Sequence, residues 1–319
     1  MELSLYIQHG DALYEPCVEE DISFSLERKG SPGKLAFRAV DDGRLPVSEG
    51  DQVLLKIGGV ELFYGFVFTL KRNQTRMIDI TAYDQLRYLK NKDTIIDGNL
   101  TASELIRRIG KEFSLSLGVI EDTGFVLESV IEDNQTLFDI IQGALDETLQ
   151  ATGRLFVMYD DYGYLTLRSI ENLRLGLLLD EETAQGFDYS SSIDNGTANR
   201  VKLAFDDEKA GTCQIYQVQN GDHINEWGVL QYFEKINSPA GAVRKAETLL
   251  RLYDQKTKKL SVKGAFGDPR VRAGTGLAVS LALGGETVSQ LMVVERVTHR
   301  FRQGAHLMDL DLIGGDFFG

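Results

Sequence analysis

Apolar and polar residues alternate with period two through most of residues 1–90. ISFSLER puts Ile22, Phe24 and Leu26 on one side, and DQVLLKIGG does the same with Val53, Leu55 and Ile57 before breaking at Gly58-Gly59. RMIDITAYD repeats the pattern at Ile78, Ile80 and Ala82, while GKLAFRAV follows a Gly-Ser-Pro-Gly turn and Val60 to Leu70 is one long β-rich run. Period-two alternation with short turns predicts antiparallel strands around a shared core, as a barrel or a sandwich. The run at Val60–Leu70 is unusual because both of its faces are apolar: Phe63, Phe66 and Phe68 are interspersed with Leu62, Val67 and Leu70. A half-solvated sheet would alternate more cleanly, so this strand is expected either to lie under the chain's own helices or to meet another subunit.

The period changes after Tyr83. Thr101 and Glu104 have capping-box spacing ahead of Leu105, Ile106 and Ile109. Thr136 and Asp139 open a second helix, with Leu137, Ile140, Ile141, Ala144, Leu145 and Leu149 in one stripe and Gly153 as its C-terminal cap. RLFVMYD and GYLTLRS then flank Asp161-Tyr162 as a hairpin, so residues 91–172 read as a small α+β domain. Strand patterning returns over 173–319 in FDYSSSI, NRVKLAF, CQIYQVQ, TKKLSVKG, GLAVSLALGG, SQLMVVERVTHRF and HLMDLDLIGG. Asn220-Gly221 is the strongest hairpin-turn signal in the chain. A helix is expected within 238–255, where Ala242, Ala246, Leu249, Leu250 and Tyr253 recur at three and four.

Two stretches resemble each other. GDQVLLKIGG and GLAVSLALGG align Val53, Leu55 and Ile57 with Val279, Leu281 and Leu283, each followed by Gly-Gly, at a constant spacing of 226 residues. At the same spacing Val67 meets Val293, and Ile78-Asp79-Ile80 matches Met308-Asp309-Leu310 after a small change in loop length. Lys34–Phe37 and Lys202–Phe205 share the letters KLAF in the same order. Either one β module occurs twice with the α+β domain between its copies, or two antiparallel sheets share alternation and a Gly-Gly turn.

The 319 residues carry 48 Asp and Glu against 34 Lys and Arg, a formal charge of −14. This argues against stable nucleic-acid binding, which needs clustered cations. Cys17 and Cys213 share no ligand spacing and read as reduced structural thiols. No apolar run is long enough to span a bilayer, and MELSLYIQHGD has no signal-peptide features, so synthesis in the cytoplasm without membrane insertion is expected.

Candidate chemistry is sparse. The four histidines are His9, His223, His299 and His306. The last two lie on neighbouring strands and can approach each other, but no HxH, HExxH or Cys-His spacing accompanies them, which favours a surface pair over a metal site. Gly274-Thr275-Gly276 lacks the context of a dinucleotide loop, and no G-x-S-x-G elbow or P-loop occurs. The acid clusters Asp160-Asp161, Glu181-Glu182 and Asp206-Asp207-Glu208 fall in expected turns, where such acids are solvated or bond the local backbone. Trp227, the only tryptophan, is no sugar platform. The residues point away from catalysis and from any cofactor.

ELFYGFVFTLKRN…IDITAYDQLRYLKNKDT resembles the tail hub family, the central baseplate hub proteins of contractile phage tails, PBSX-like prophages and phage-tail-like bacteriocins. TASELIRRIGKEFSLSLGVIEDTGF, LFDIIQGALDETLQATGRLFVMYDDYGYLTLRS, NRVKLAF, WGVLQYFEKI and HRFRQGAHLMDLDL continue the likeness across the chain, with Trp227 standing where the family pattern has Tyr. The resemblance implies a β-rich α+β fold of two tail-tube-like antiparallel barrels, 1–90 and 173–319, around the α+β domain. It also implies a non-enzymatic homotrimer in the baseplate of a tail particle, an adaptor between a six-fold tail tube and a three-fold central spike. Its partners would be the spike, the tube protein and a tape-measure or LysM-type tail protein. A cell-wall-binding or peptidoglycan-degrading tail protein is the alternative. On the hub reading, Val53, Leu55, Ile57, Phe63, Val67, Val279, Leu281, Leu283 and Val293 belong to strands of the tube wall. Asp79, Asp309, Asp311, Glu61 and Glu295 would then face the lumen, where a repulsive wall lets a polymer pass.

Overall fold

The computed structural model describes residues 2–19, 21–194, 196–207, 211–283 and 286–314. The Gly284-Gly285 turn, Glu208 and the side chain of Leu283 lie outside the described residues. The first strands are β1 (Leu3–His9), β2 (Ala12–Tyr14), β3 (Ile22–Glu27), β4 (Lys34–Val40), β5 (Gln52–Ile57), β6 (Val60–Arg72) and β7 (Met77–Tyr83). A 3-10 turn, Gln85–Lys90, leads into β8 (Lys92–Asp97), β9 (Leu100–Thr101), α1 (Ala102–Glu112), β10 (Leu117–Ile120), β11 (Val126–Leu127), β12 (Val130–Thr136), α2 (Leu137–Thr152), β13 (Phe156–Asp160) and β14 (Leu165–Ser169). Next come β15 (Arg174–Leu179), β16 (Gly186–Ser192), β17 (Arg200–Asp207), β18 (Thr212–Gln219), α3 (Gly221–Trp227), β19 (Gln231–Lys235) and α4 (Ala242–Tyr253). The chain ends with β20 (Thr257–Phe266), β21 (Gly276–Leu283), β22 (Glu286–Arg302) and β23 (Ala305–Gly314).

A single 13-stranded sheet runs β2-β1-β5-β6-β7-β4-β3-β22-β23-β20-β16, with β21 also on β22 and β15 on β21. The expectation of two separate closed barrels is corrected here: no sheet closes. The edge of β3 that would have to close the first unit is taken by β22, with Arg296 opposite Glu27 and Phe301 opposite Ile22. Each half nevertheless wraps its own core. Ile7, Phe24, Leu35, Phe37, Leu55, Phe63, Val67 and Ile80 pack together in one, and Leu260, Val262, Val279, Met292, Val294, Val297 and Leu310 in the other.

The two halves share one strand order. β1-β5-β6-β7-β4-β3 is matched by β15-β21-β22-β23-β20-β16, although β1 runs antiparallel to β5 and β15 parallel to β21. Backbone bonds fix the correspondence. Gly50 N donates to Val67 O and Val67 N to Asp51 O, each at 2.8 Å; Gly274 N donates to Val294 O at 2.7 Å and Val294 N to Thr275 O at 2.9 Å. Val67 is therefore the counterpart of Val294, and Leu55, opposite Phe63, is the counterpart of Val279, opposite Gln290. Aligning the sequence on its Gly-Gly pairs is out by two residues along β5, so Val53 matches Leu277 and not Val279. A shift of two preserves the buried face, which is why alternation did not reveal it. The pairing of Val67 with Val293 is also corrected, because Val293 faces away from the β22 core and packs with Leu155 and Ile170. After a bulge in each copy the register agrees again, with Lys71 opposite Asp79 and Thr298 opposite Asp309. The KLAF match was coincidence: β17 lies in a separate sheet, β18-β17-β19, and the counterpart of β4 is β20.

Two smaller units flank the large sheet. In the first, the Thr101 hydroxyl accepts from Glu104 N and the Glu104 carboxylate accepts from Thr101 N at 2.8 Å, closing the expected capping box on α1. Gly153 ends α2 with φ 75°, and α1 and α2 bury Leu105, Ile109, Leu137 and Ile141 against Phe156 and Leu165. In the second, α4 seats Ala246 and Leu249 on Val201 and Leu203 of the three-stranded sheet. Asn220-Gly221 is not a hairpin turn: the Asn220 side chain caps α3 by accepting from Asp222 N at 3.0 Å and His223 N at 3.4 Å. The turn signal and a cap use the same residue, since a short amide competes for local backbone donors in either setting.

Candidate assembly surface

The two-faced run of β6 resolves into two environments. Phe63, Gly65 and Val67 point into the core, and Tyr64, Phe66 and Phe68 form an outer aromatic row. The row meets the chain's own flanking unit. Tyr64 lies 5.8 Å from Tyr162, and Phe66 and Phe68 lie 6.4 Å and 6.1 Å from Tyr88, all tilted contacts. The β13–β14 hairpin reaches this row because Gly163 adopts φ +88° and presents no Cβ, which would sit 2.7 Å from the Tyr64 ring. Gln85 ties the hairpin down, donating to Gly163 O at 2.8 Å and Ser116 O at 3.1 Å. Part of the apolar excess on β6 is thus covered from within. Apolar side chains that remain open include Ile96 and Ile131, directly opposed on β8 and β12 at 73% and 69% exposure, and Phe266 at 70%.

The wall-strand residues Val53, Leu55, Ile57, Phe63, Val67, Val279, Leu281 and Val293 are all buried in the chain's own packing. Any surface these strands offer a partner or a lumen comes from the alternate positions. Four of the five acids proposed for a lumen have a cationic neighbour. Asp79 takes Arg38 Nε at 2.6 Å, Asp309 takes Arg300 Nε at 2.8 Å, Glu61 takes Lys56 Nζ at 2.9 Å and Glu295 takes Arg28 Nε at 2.5 Å. Asp311 accepts from the Ser261 hydroxyl at 2.7 Å. Their local fields are therefore weaker than the sequence count implies.

Two carboxyls and a histidine pair mark where the units join. Asp84 is buried, caps the 3-10 turn by accepting from Leu86 N at 3.0 Å, and accepts from Gly33 N at 2.8 Å. Burial, and then the charge of Asp160, push its carboxyl well above the usual range. Asp160 bonds the local backbone, one of the two expectations for a turn acid, but is not solvated: one oxygen accepts from Gly163 N at 2.7 Å, the other is buried without a partner, and burial pushes its pKa up to about 6. Both line a small cleft with Gly33, Tyr159 and Arg272, far too tight for a substrate. His299 and His306 do meet, at 2.9 Å, but as an inner pair. His299 is fully buried with Nε2 3.0 Å from Val271 O, and burial lowers its pKa to about 3 and that of His306 to about 4. Both are neutral, with Val271 O accepting from Nε2–H. Among the described residues no group of three or more His, Cys, Asp or Glu is arranged to hold a metal. No helix among the described residues is long and apolar enough to cross a membrane. Cys17 and Cys213 are exposed and free.

The profile of a protein family described as YQBQ-like matches residues 22–313, nearly the whole sheet and both flanking units. The chain belongs to the YQBQ-like family. A relative within reach of sequence comparison is the phage-like element PBSX protein XkdQ of Bacillus subtilis (strain 168), 32% identical over 306 residues, 93% of this chain and 92% of the relative. Among solved structures, the 43 kDa tail protein of prophage MuSo2 from Shewanella oneidensis aligns with TM-score 0.72 and 13% identity over 99% of this chain and all of its own. An E. coli type VI secretion component, described as structurally similar to T4 tail proteins gp27 and gp5, aligns with TM-score 0.59 and 12% identity over 100% of this YQBQ-like chain and 78% of its own. The fold is that of phage tail proteins. Sequence reading missed the β3–β22 junction and the Asp84–Asp160 pair, since both join segments far apart in the chain and neither has a local signature.

Proposed function

We propose that this YQBQ-like chain is the structural hub of a phage-type tail, a homotrimer that adapts a six-fold tube to a three-fold spike. The observation that carries the reading is the repeated strand order within one continuous sheet: a chain with two similar sheet units, taken three times, offers six units to a tube and three identical faces to a spike. The family resemblance to PBSX XkdQ and the fold shared with tail and type VI secretion components support it. The role is non-enzymatic, the place is the baseplate of a tail particle, and the partners are the spike, the tube protein and a tape-measure or LysM-type protein. The lumen-facing placement of Asp79, Asp309, Asp311, Glu61 and Glu295 is part of this reading. Native mass spectrometry of the purified chain, alone and with its spike, tests it. A trimer in either sample supports the hub; a monomer at high concentration in both, or cell-wall lysis by the chain, overturns it.

A further inference from the structure

The junction between the two halves of the sheet has a counterpart that is left open. Inside the chain, β3 of the first half pairs antiparallel with β22 of the second: Leu26 is opposite Val297, Ser25 opposite Thr298 and Phe24 opposite His299. The Ser25 and Thr298 hydroxyls are 3.1 Å apart, and the Phe24 and His299 rings stack at 5.8 Å. The counterpart of β3 is β16, because Ser23, Phe24 and Ser25 stand to β4 as Asp188, Tyr189 and Ser190 stand to β20. The counterpart of the Arg296–His299 segment is Thr69–Arg72 of β6, because Thr69 is opposite Thr81 and Arg296 opposite Asp311, each directly after the bulge. Among the described residues, β16 has one strand neighbour, β20, and Thr69–Arg72 has one, β7.

Burial shows the same gap from both sides. Ile22 on β3 is 2% exposed beneath Phe301, whereas its counterpart Phe187 on β16 is 36% exposed. Val297 on β22 is fully buried, whereas its counterpart Leu70 on β6 is only half-buried. We infer that β16 of one chain pairs antiparallel with Thr69–Arg72 of the next chain, repeating between subunits the ladder that joins β3 to β22 within one. The register follows from the internal junction: Thr69 opposite Ser192, Leu70 opposite Ser191, Lys71 opposite Ser190 and Arg72 opposite Tyr189. Lys71 and Asp188 then become diagonal neighbours on the outer face, an opposite-charge pair, and neither has an ion pair within its own chain among the described residues. Two exposed strand edges that would otherwise invite uncontrolled pairing are satisfied by each other. The contact is head-to-tail, and on the hub reading it closes a ring in which internal and intersubunit junctions alternate.

The inference rests on the hub reading for the closure of the ring, and cysteine cross-linking separates the two. In a chain with Cys17→Ser and Cys213→Ser, Lys71→Cys and Ser190→Cys place thiols where Ser25 and Thr298 have touching hydroxyls; both positions are exposed, so the fold is spared. Ser25→Cys with Thr298→Cys is the intrachain control. Mild oxidation is expected to give interchain disulfides in multiples of the chain mass, ending at the ring size, and mixing the Lys71→Cys and Ser190→Cys single variants is expected to give dimers only. An assembled chain, shown by native mass, that yields no 71–190 disulfide overturns this ladder and leaves the hub reading standing. A chain that stays monomeric overturns both. Amide exchange on the unsubstituted assembly gives an independent readout: residues 69–72 and 186–192 slow on assembly if the ladder forms, and unchanged rates there refute it.

Discussion

Asp160→Asn should stabilise the protein at neutral pH. One Asp160 oxygen accepts from Gly163 N, the other is buried without a hydrogen-bond partner, and Asp84 lies buried nearby with its own carboxyl pushed upward. A carboxyl that titrates near 3.8 in the unfolded chain and at about 6 in the folded one binds its proton more tightly when folded. Between those values the folded state carries more protons than the unfolded, so stability falls as the pH rises through about 4 to 6 and stays reduced above it. A shift of roughly two units corresponds to about 3 kcal/mol. The amide removes that charge and keeps the oxygen that Gly163 needs, but its NH2 replaces the unpartnered oxygen and costs about 1–3 kcal/mol if it finds no acceptor. The net gain expected at pH 8 is about 0–2 kcal/mol, falling to zero or reversing by pH 4. His299 and His306 act in the opposite direction. Their lowered pKa values mean that stability is lost as the pH falls below about 6.5, so the parent profile alone is ambiguous. Both proteins carry the histidines, and the difference between their urea-unfolding free energies isolates Asp160. A difference that is the same at pH 4 and pH 8 would refute the account.

Asp84→Asn should destabilise by about 2–4 kcal/mol at pH 7, because both carboxylate oxygens accept backbone N–H groups and an amide turns one acceptor into a donor; urea titration against the parent measures it. Gly163→Ala should cost about 2–3 kcal/mol from the positive φ and the close Tyr64 ring, and should raise hydrogen exchange in the 160–164 hairpin; an unchanged exchange rate would argue against its docking role. Nitrogen-15 spectra should show His299 neutral and protonated on Nε2 down to about pH 4, and a titration near 6.5 would contradict its burial.

Alternation was legible because each half-sheet buries one face. Ile22, Phe24, Val53, Leu55, Ile78 and Ile80 could all be placed inward from the sequence. The helix signals worked for the same local reason, since Thr101, Glu104 and Gly153 act on backbone groups within a turn of themselves. What failed depended on distance or degeneracy. The two-residue register error along β5 was invisible to a period-two pattern, and KLAF is what any half-buried strand can spell. That β3 closes onto β22 depends on which edge is nearer in space, which no window of residues records. Among the candidate acids, Asp79 and Asp309 were correctly matched between the two halves, but their arginine partners, Arg38 and Arg300, sit on neighbouring strands and changed the electrostatic picture.

The β3–β22 ladder also governs how the chain must be made. Ser25 and Thr298, which touch across it, are 273 residues apart. At about 5–20 residues per second, a ribosome finishes β3 roughly 15–55 s before its partner emerges. Once β7 has emerged, the nascent first half has its own strands but lacks Phe301 of its core and has one bare edge, on an mRNA that several ribosomes translate at once. Neighbouring nascent chains expose the same edge at close range. The short, half-buried Ser23 and Ser25 of β3, the charged Glu27 at its end and the Arg28 and Lys29 that follow stand where they can discourage premature pairing until β22 arrives. Slow codons anywhere between β7 and the end of β22 would lengthen that exposure, whereas slow codons after β22 would not, which ties translation speed to the yield of folded protein.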